Sequence, residues 1–124
     1  MAMIVQTVDG VVTNKFDIVQ SALKFGRTKD NQVQINDMAV SNQHARIISE
    51  ISDNGEIIYF LEDLGSTNGS FINDKKIEKQ QLHNNDSLRI GWNVFTFINE
   101  NEMDFEKTRQ IKKTWIPGLY YTNK

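Results

Sequence analysis

Residues 57–73 read IIYFLEDLGSTNGSFIN. Eight residues rich in isoleucine and aromatics run into the turn-forming block GSTNG (65–69), and a short apolar run, SFI, follows at once. The pattern reads as strand, turn, strand: the apolar runs are short, and Gly, Ser, Thr and Asn bend chains. The same punctuation recurs. MIVQTV (3–8) meets Asp9-Gly10 before VVTNKFDIV (11–19), VQI (33–35) precedes ND, and ARIIS (45–49) precedes DNG. Further on, SFI runs into NDKK, LHNND (82–86) leads to SLRI (87–90), and GWN (91–93) leads to VFTFIN (94–99). Short strands broken by turns every ten residues or so predict an antiparallel sandwich or barrel. Asp9-Gly10 and Asn54-Gly55 read as hairpin turns, and NDKKI (73–77) as another tight turn. In VFTFI (94–98) the two-residue alternation turns Phe95 and Phe97 toward the core.

The chain has 124 residues, enough for one core, and nothing before residue 100 keeps a helical period. We expect an all-β domain over residues 1–100 and a distinct tail over 101–124. The tail holds five Lys/Arg against three Asp/Glu, so it carries +2 and the body −4 of the total −2. It reads as a linker, a short helix over 103–114 or a regulatory segment, with Pro117-Gly118 breaking any order there. Trp115, Ile116, Leu119, Tyr120 and Tyr121 form an apolar cluster within it. A net charge of −2 offers no broad basic field, so nucleic acid is not an expected partner. The absence of cysteine excludes disulfides, thiolate metal sites and cysteine nucleophiles. No apolar run approaches the ~18 residues of a membrane span, and MAMIVQTVDG lacks the pattern of a secretory signal. A cytoplasmic location is the default expectation.

Three stretches carry more polar specificity than surface loops need: KFGRTKDNQVQI (24–35), AVSNQHARI (39–47) and EDLGSTNGSFIN (62–73). Arginine presents a planar fork of donors that matches phosphate oxygens. Serine and threonine hydroxyls donate to an anion, and asparagine can both donate to and accept from a peptide backbone. Loops at one end of a sandwich would hold such groups on a stiff frame. Ser41 and His44 lie three apart and invite a hydrolase reading. Yet in an extended strand those positions face opposite ways, and no third residue to orient the histidine is evident. Asp63 reads as a loop anchor and His83 as part of a turn. No histidine or carboxylate pair has metal-ligand spacing. No catalytic residue, metal or cofactor is therefore assigned.

In this order, FGR (25–27), VSNQHARI (40–47), LEDLGSTNGSFIN (61–73) and DSLRIG (86–91) resemble the forkhead-associated (FHA) domain, a phosphothreonine-peptide-binding module. The resemblance covers roughly residues 3–99. It implies an FHA/SMAD-like β-sandwich of two twisted, mostly antiparallel sheets, with about eleven strands in all. The peptide would be held by loops at one end. Carried over residue by residue, Arg27 would pair with the phosphate and Ser41 would hydrogen-bond it. Asn42 stands where many members have arginine; it can donate to phosphate or peptide but adds no charge. Thr67 would touch the ligand near the phosphate, and Asn68 would clasp its backbone. Gly26 and Gly69 would supply backbone freedom. His44 would tie the Ser41 loop to GSTNG, and Asn73 would be an architectural turn residue. The ligand residue three places after the phosphothreonine is expected to face the loop around Asp30–Gln34 and NDMAV (36–40). Ala39 lies where some members place a selective arginine, which argues against an acidic ligand residue there.

The implied function is non-catalytic, phosphothreonine-dependent protein–protein interaction in Ser/Thr kinase signalling. The asparagine- and lysine-rich composition suits a bacterial source. The alternative is a phospho-independent scaffold, to which Asn42 lends some weight. Thr108, in DFEKTRQIKKTW (104–115) with Ile111 three places on, is a candidate phosphorylation site. Phosphorylated, it would bind an FHA site in the same chain or in a second copy.

Overall fold

Two left-handed residue pairs set the hairpins. Asp9 (φ 54°) and Gly10 (φ 80°) make a two-residue turn between β1 (Ala2–Val8) and β2 (Val11–Asp17). Asn73 (φ 51°) and Asp74 (φ 69°) do the same between β7 (Ser70–Ile72) and β8 (Lys75–Ile77). Such turns twist in the same sense as the strands they join. The computed structural model that shows this describes residues 2–19 and 21–102. Expectations for the tail, including Thr108 and the Trp115–Tyr121 cluster, fall outside the described residues.

The remaining strands are β3 (Ala22–Gly26), β4 (Val33–Gln34), β5 (Ala45–Ile51), β6 (Ile57–Asp63), β9 (Lys79–Leu82), β10 (Ser87–Ile90) and β11 (Asn93–Asn99). A 3-10 turn at Glu100–Glu102 follows. The Asn54-Gly55 hairpin is wider than two residues. Gly55 (φ 85°) sits in a Ser52–Glu56 connection closed by the Ser52 amide donating to the Glu56 carbonyl.

The strands form a six-stranded sheet, β2-β1-β11-β10-β7-β8, and a five-stranded sheet, β4-β3-β5-β6-β9. All ladders among the described residues are antiparallel except β3 with β4. This is the all-β sandwich that the sequence predicts.

Period-two alternation supplies the core. Ile4, Leu88, Ile90, Phe95 and Phe97 of the larger sheet meet Leu23, Phe25, Ile47, Tyr59 and Leu61 of the smaller. Phe25 meets Phe95 edge-on at 5.7 Å, and Tyr59 meets Phe97 at 5.5 Å. Edge-on contact suits the ring quadrupole and adds to the area buried.

Register then places the loops. Phe25 pairs with Ala45, and Ala45 with Asp63, so these three residues form a row across the smaller sheet. The chain leaving β3, entering β5 and leaving β6 therefore emerges at one end. The β10–β11 turn at Gly91 and Trp92 joins them, because the Trp92 amide donates to Asp37 in the loop before β5. All three polar stretches thus meet on one rim.

The turn at Asn73-Asp74 offers a test of this frame. Asp74 is an exposed, left-handed, non-glycine residue, a conformation that strains an L side chain. Asp74→Gly should raise stability by about 0.5 kcal/mol, the relief being partly offset by a freer unfolded chain. The midpoint of urea denaturation measures it; a lower midpoint would contradict the turn assignment.

Candidate functional site

The rim is organised around a buried histidine. His44 has no exposed surface. Its Nδ1 accepts the Ser41 amide at 3.1 Å, and its Nε2 reaches the Gly69 carbonyl at 2.8 Å. The first contact makes Nδ1 the acceptor, so the proton is on Nε2 and is donated to Gly69. Its backbone is engaged too: its amide donates to the Phe25 carbonyl, and its carbonyl accepts the Leu64 amide, each at 2.9 Å. One residue thus joins the end of β3, the Ser41 turn and both ends of the GSTNG loop. Neither ring nitrogen is free to take a proton from the Ser41 hydroxyl. The segment is a turn rather than an extended strand, so strand parity does not separate Ser41 from His44. Histidine's commitment to backbone groups does.

The Arg27 loop is fastened to the Asn42 turn. The Arg27 amide donates to the Ser41 carbonyl at 3.1 Å. The Asn31 side chain, which is buried, donates from Nδ2 to the Asn42 carbonyl at 2.9 Å, the Thr28 carbonyl at 3.0 Å and the Thr28 hydroxyl at 3.1 Å. Gln43 donates to Asp30 at 2.9 Å and to Thr28 at 3.2 Å. Gly26 lies under this crossing. A methyl group there would overlap the Asn42 carbonyl oxygen and the Asn31 amide. Gly26 is thus required by close approach, not by the backbone freedom expected of it. Gly69, at φ +87°, does use that freedom.

The outward-facing groups are those singled out in the sequence. Arg27 donates from Nε to the Asn42 amide oxygen at a long 3.5 Å, which leaves its terminal nitrogens uncommitted among the described residues. Ser41 Oγ accepts the Thr67 amide at 3.1 Å, so its own hydroxyl proton remains to be given elsewhere. Asn68 Nδ2 donates to the Ala39 carbonyl at 2.9 Å, which holds its amide oxygen in place beside an exposed Thr67. Arg27, Ser41, Asn42, Thr67 and Asn68 are therefore brought together. Asn73 stands apart, on the β7–β8 turn, where its amide donates to Asp86 and its oxygen accepts the Ser87 amide, both at 2.9 Å. Lys29 is exposed in the Arg27 loop.

Asp63 anchors the GSTNG loop. Its two oxygens accept the Gly65 and Ser66 amides and the Ser66 and Ser70 hydroxyls, between 2.6 and 3.0 Å. Burial pushes its carboxyl up, but these donors outweigh burial and hold it below the ordinary 3.8. Among the described residues no group of three His, Asp or Glu side chains gathers as a metal site.

A family model for the FHA domain matches residues 23–91. The chain belongs to the FHA domain family. A Dictyostelium discoideum protein named as a probable serine/threonine-protein kinase, fhkE, is 41% identical over 63 residues, 50% of this chain and 9% of that protein. The oxoglutarate dehydrogenase inhibitor of Corynebacterium jeikeium is 31% identical over 86 residues, 69% of this chain and 56% of the inhibitor. The alignments thus span less than two thirds of either relative. A solved FHA structure, from an analysis of phosphothreonine-dependent FHA domain interactions, superposes with a TM-score of 0.68 at 25% identity. It covers 81% of this chain and 98% of its own.

In this FHA domain several rim residues escaped the sequence reading. Asn31 and Gln43 are polar residues in polar loops, and nothing in their spacing sets them apart. Asn31 could have been suspected only from its place between Gly26-Arg27 and the alternating Val33 and Ile35.

Asp63 gives the rim a pH signature. A carboxyl held below 3.8 in the folded state contributes stability that is fully present above that value. The contribution is lost as pH falls through the lower folded value. Asp63→Asn can keep an oxygen on the Gly65 and Ser66 amides, but it removes the charge and turns an NH2 toward the Ser66 and Ser70 hydroxyls, which now donate to the carboxylate. The variant should be less stable than wild type at neutral pH, with the difference shrinking in acid. Urea midpoints followed from neutral pH to below 3.8 check this; parallel pH curves would refute it.

Proposed function

We propose that this FHA domain is a phosphothreonine-dependent protein–protein interaction module without catalytic activity. The observation that carries the reading is the set of uncommitted donors on one rim. Arg27 offers its terminal nitrogens and Ser41 its hydroxyl proton, while their other valences are spent on the frame. In this reading Arg27 and Ser41 hold the phosphate, Asn42 and Thr67 flank it, and Asn68 takes the ligand backbone. Gly26, His44 and Gly69 support the loops, and Asn73 holds the β7–β8 turn. The binding unit is residues 1–100, and residues 101–124 form a tail. A bacterial, cytoplasmic Ser/Thr kinase pathway is the proposed setting. Thr108 is proposed as a modification site whose phosphorylated form would be a ligand for an FHA site in cis or in trans.

A phosphothreonine carries about −1.5 to −2 charges near neutral pH. With Asn42 in place of a second arginine, one guanidinium and neutral donors must balance it. The half-exposed site gives modest affinity that falls as salt rises. Arg27→Ala should abolish binding of phosphothreonine peptides in calorimetry while leaving thermal stability within about 0.5 kcal/mol of wild type. No inorganic phosphate should appear during prolonged incubation. Retained affinity in Arg27→Ala sinks the assignment, and released phosphate sinks the non-catalytic reading.

A further inference from the structure

Beside Asn68 the rim opens into a recess of about 260 Å³ lined by Ala39, Asn68, Phe71, Arg89, Gly91 and Trp92. Two of these residues are out of keeping with a plain surface. Trp92 is 81% exposed, although tryptophan is usually well covered. Arg89 lies with its guanidinium carbon 4.0 Å from the centre of the Phe71 ring. At that distance the cation rests on the ring face, which attracts it electrostatically.

Register explains how these groups meet. Arg89 pairs with Phe71 on one side and with Val94 on the other, so all three stand on the outer face of the larger sheet. Leu88 and Ile90, with the opposite parity, fill the core. The β10–β11 turn then swings Trp92 back over the recess. Among the described residues no carboxylate lies within 4.0 Å of the Arg89 guanidinium and no side-chain hydrogen bond uses it. Asp37, a carboxylate of the neighbouring turn, is committed to the Ala39 amide at 2.9 Å and to the Trp92 amide and Asn93 side chain at 3.4 Å. A cation seated on a ring and left unpaired beside an open recess suits an anionic side chain. A broad aromatic face next to it suits methylene groups.

We propose that this recess reads a glutamate of the phosphopeptide, with its methylenes on the Trp92 ring and its carboxylate on Arg89. The proposal rests on the phosphopeptide reading above and adds to it the chemical class of a second ligand residue. Ala39 leaves this corner without an arginine of its own; Arg89 supplies the charge from a strand distant in sequence. The interaction is half-exposed, so its effect is a preference, not an absolute requirement.

The test uses the full chain and a set of phosphothreonine peptides carrying glutamate, glutamine or alanine at each flanking position in turn. Calorimetry is run on wild type, Arg89→Met and Arg89→Lys. At one flanking position glutamate should bind about fivefold tighter than glutamine. Arg89→Met, which keeps a flexible apolar side chain on Phe71, should remove that preference without loss of phosphate dependence. Arg89→Lys should keep part of it. Trp92 fluorescence should shift more on binding the glutamate peptide than on binding its alanine counterpart. The proposal is overturned if no position separates glutamate from glutamine, or if the preference survives in Arg89→Met. Failure of the underlying reading has a different appearance: wild type would bind phosphorylated and unphosphorylated peptides alike.

Discussion

Everything on the functional rim depends on one imidazole facing two backbone groups. His44 has no solvent to exchange partners with, so each of its ring nitrogens must be satisfied inside the protein. The Ser41 amide and the Gly69 carbonyl satisfy them, one as donor and one as acceptor. A buried group that bridges two loops fixes their separation more strictly than apolar packing can, because hydrogen bonds are directional. No other common side chain offers a donor and an acceptor on opposite sides of one rigid ring. The residue that looked most like a general base is the one least able to act as one.

Asp63 does for a single loop what His44 does between loops. It is the only carboxylate among the described residues that gathers four donors, three from its own turn and one from the start of β7, and the Ser66 hydroxyl passes the restraint on to the Gly69 amide. The two anchors share Gly69, whose amide serves the Asp63 network and whose carbonyl serves His44. The GSTNG loop is therefore held in place before any ligand arrives. Groups that need not reorganise on binding lose less entropy when they bind. That is how a site with one assigned cation can still hold an anion. Its neutral donors are already aimed.

How much of this was readable in the chain varies with the physics involved. The sandwich was legible, because period-two alternation and left-handed turn pairs are local properties: Phe95, Phe97, Asp9-Gly10 and Asn73-Asp74 stand as expected. That Arg27, Ser41, Asn42, Thr67 and Asn68 share one rim was legible only from all of them together. No one of them is unusual, but their order along the chain is. What spacing could not give was the reason for Gly26, which depends on the close approach of the Asn42 carbonyl from sixteen residues away in sequence. Nor could it give Asn31, a polar residue in a polar loop whose burial is a tertiary fact. Arg89 and Trp92 escaped for a related reason: only antiparallel register between β7, β10 and β11 brings them to the corner that Ala39 leaves uncharged.

The net charge of the chain gives these local arrangements their meaning. A domain body that carries −4 attracts no phosphate at long range. Charge that is not steering from afar must act at contact, where geometry decides its worth. Arg27 is spaced by a single long hydrogen bond to Asn42, and Arg89 is held by an aromatic ring; neither is neutralised by a carboxylate within 4.0 Å among the described residues. Other cations are paired, as Arg46 with Glu62 at 2.7 Å, Lys79 with Glu50 at 3.3 Å and Lys15 with Asp17 at 3.9 Å. The one paired guanidinium among the described residues, Arg46, lies on β5 of the smaller sheet, while the two unpaired ones lie at the rim. A ligand that presents one strong anion and one weaker anion at the matching separation would complete both, and a ligand with the phosphate alone would leave one of them facing water.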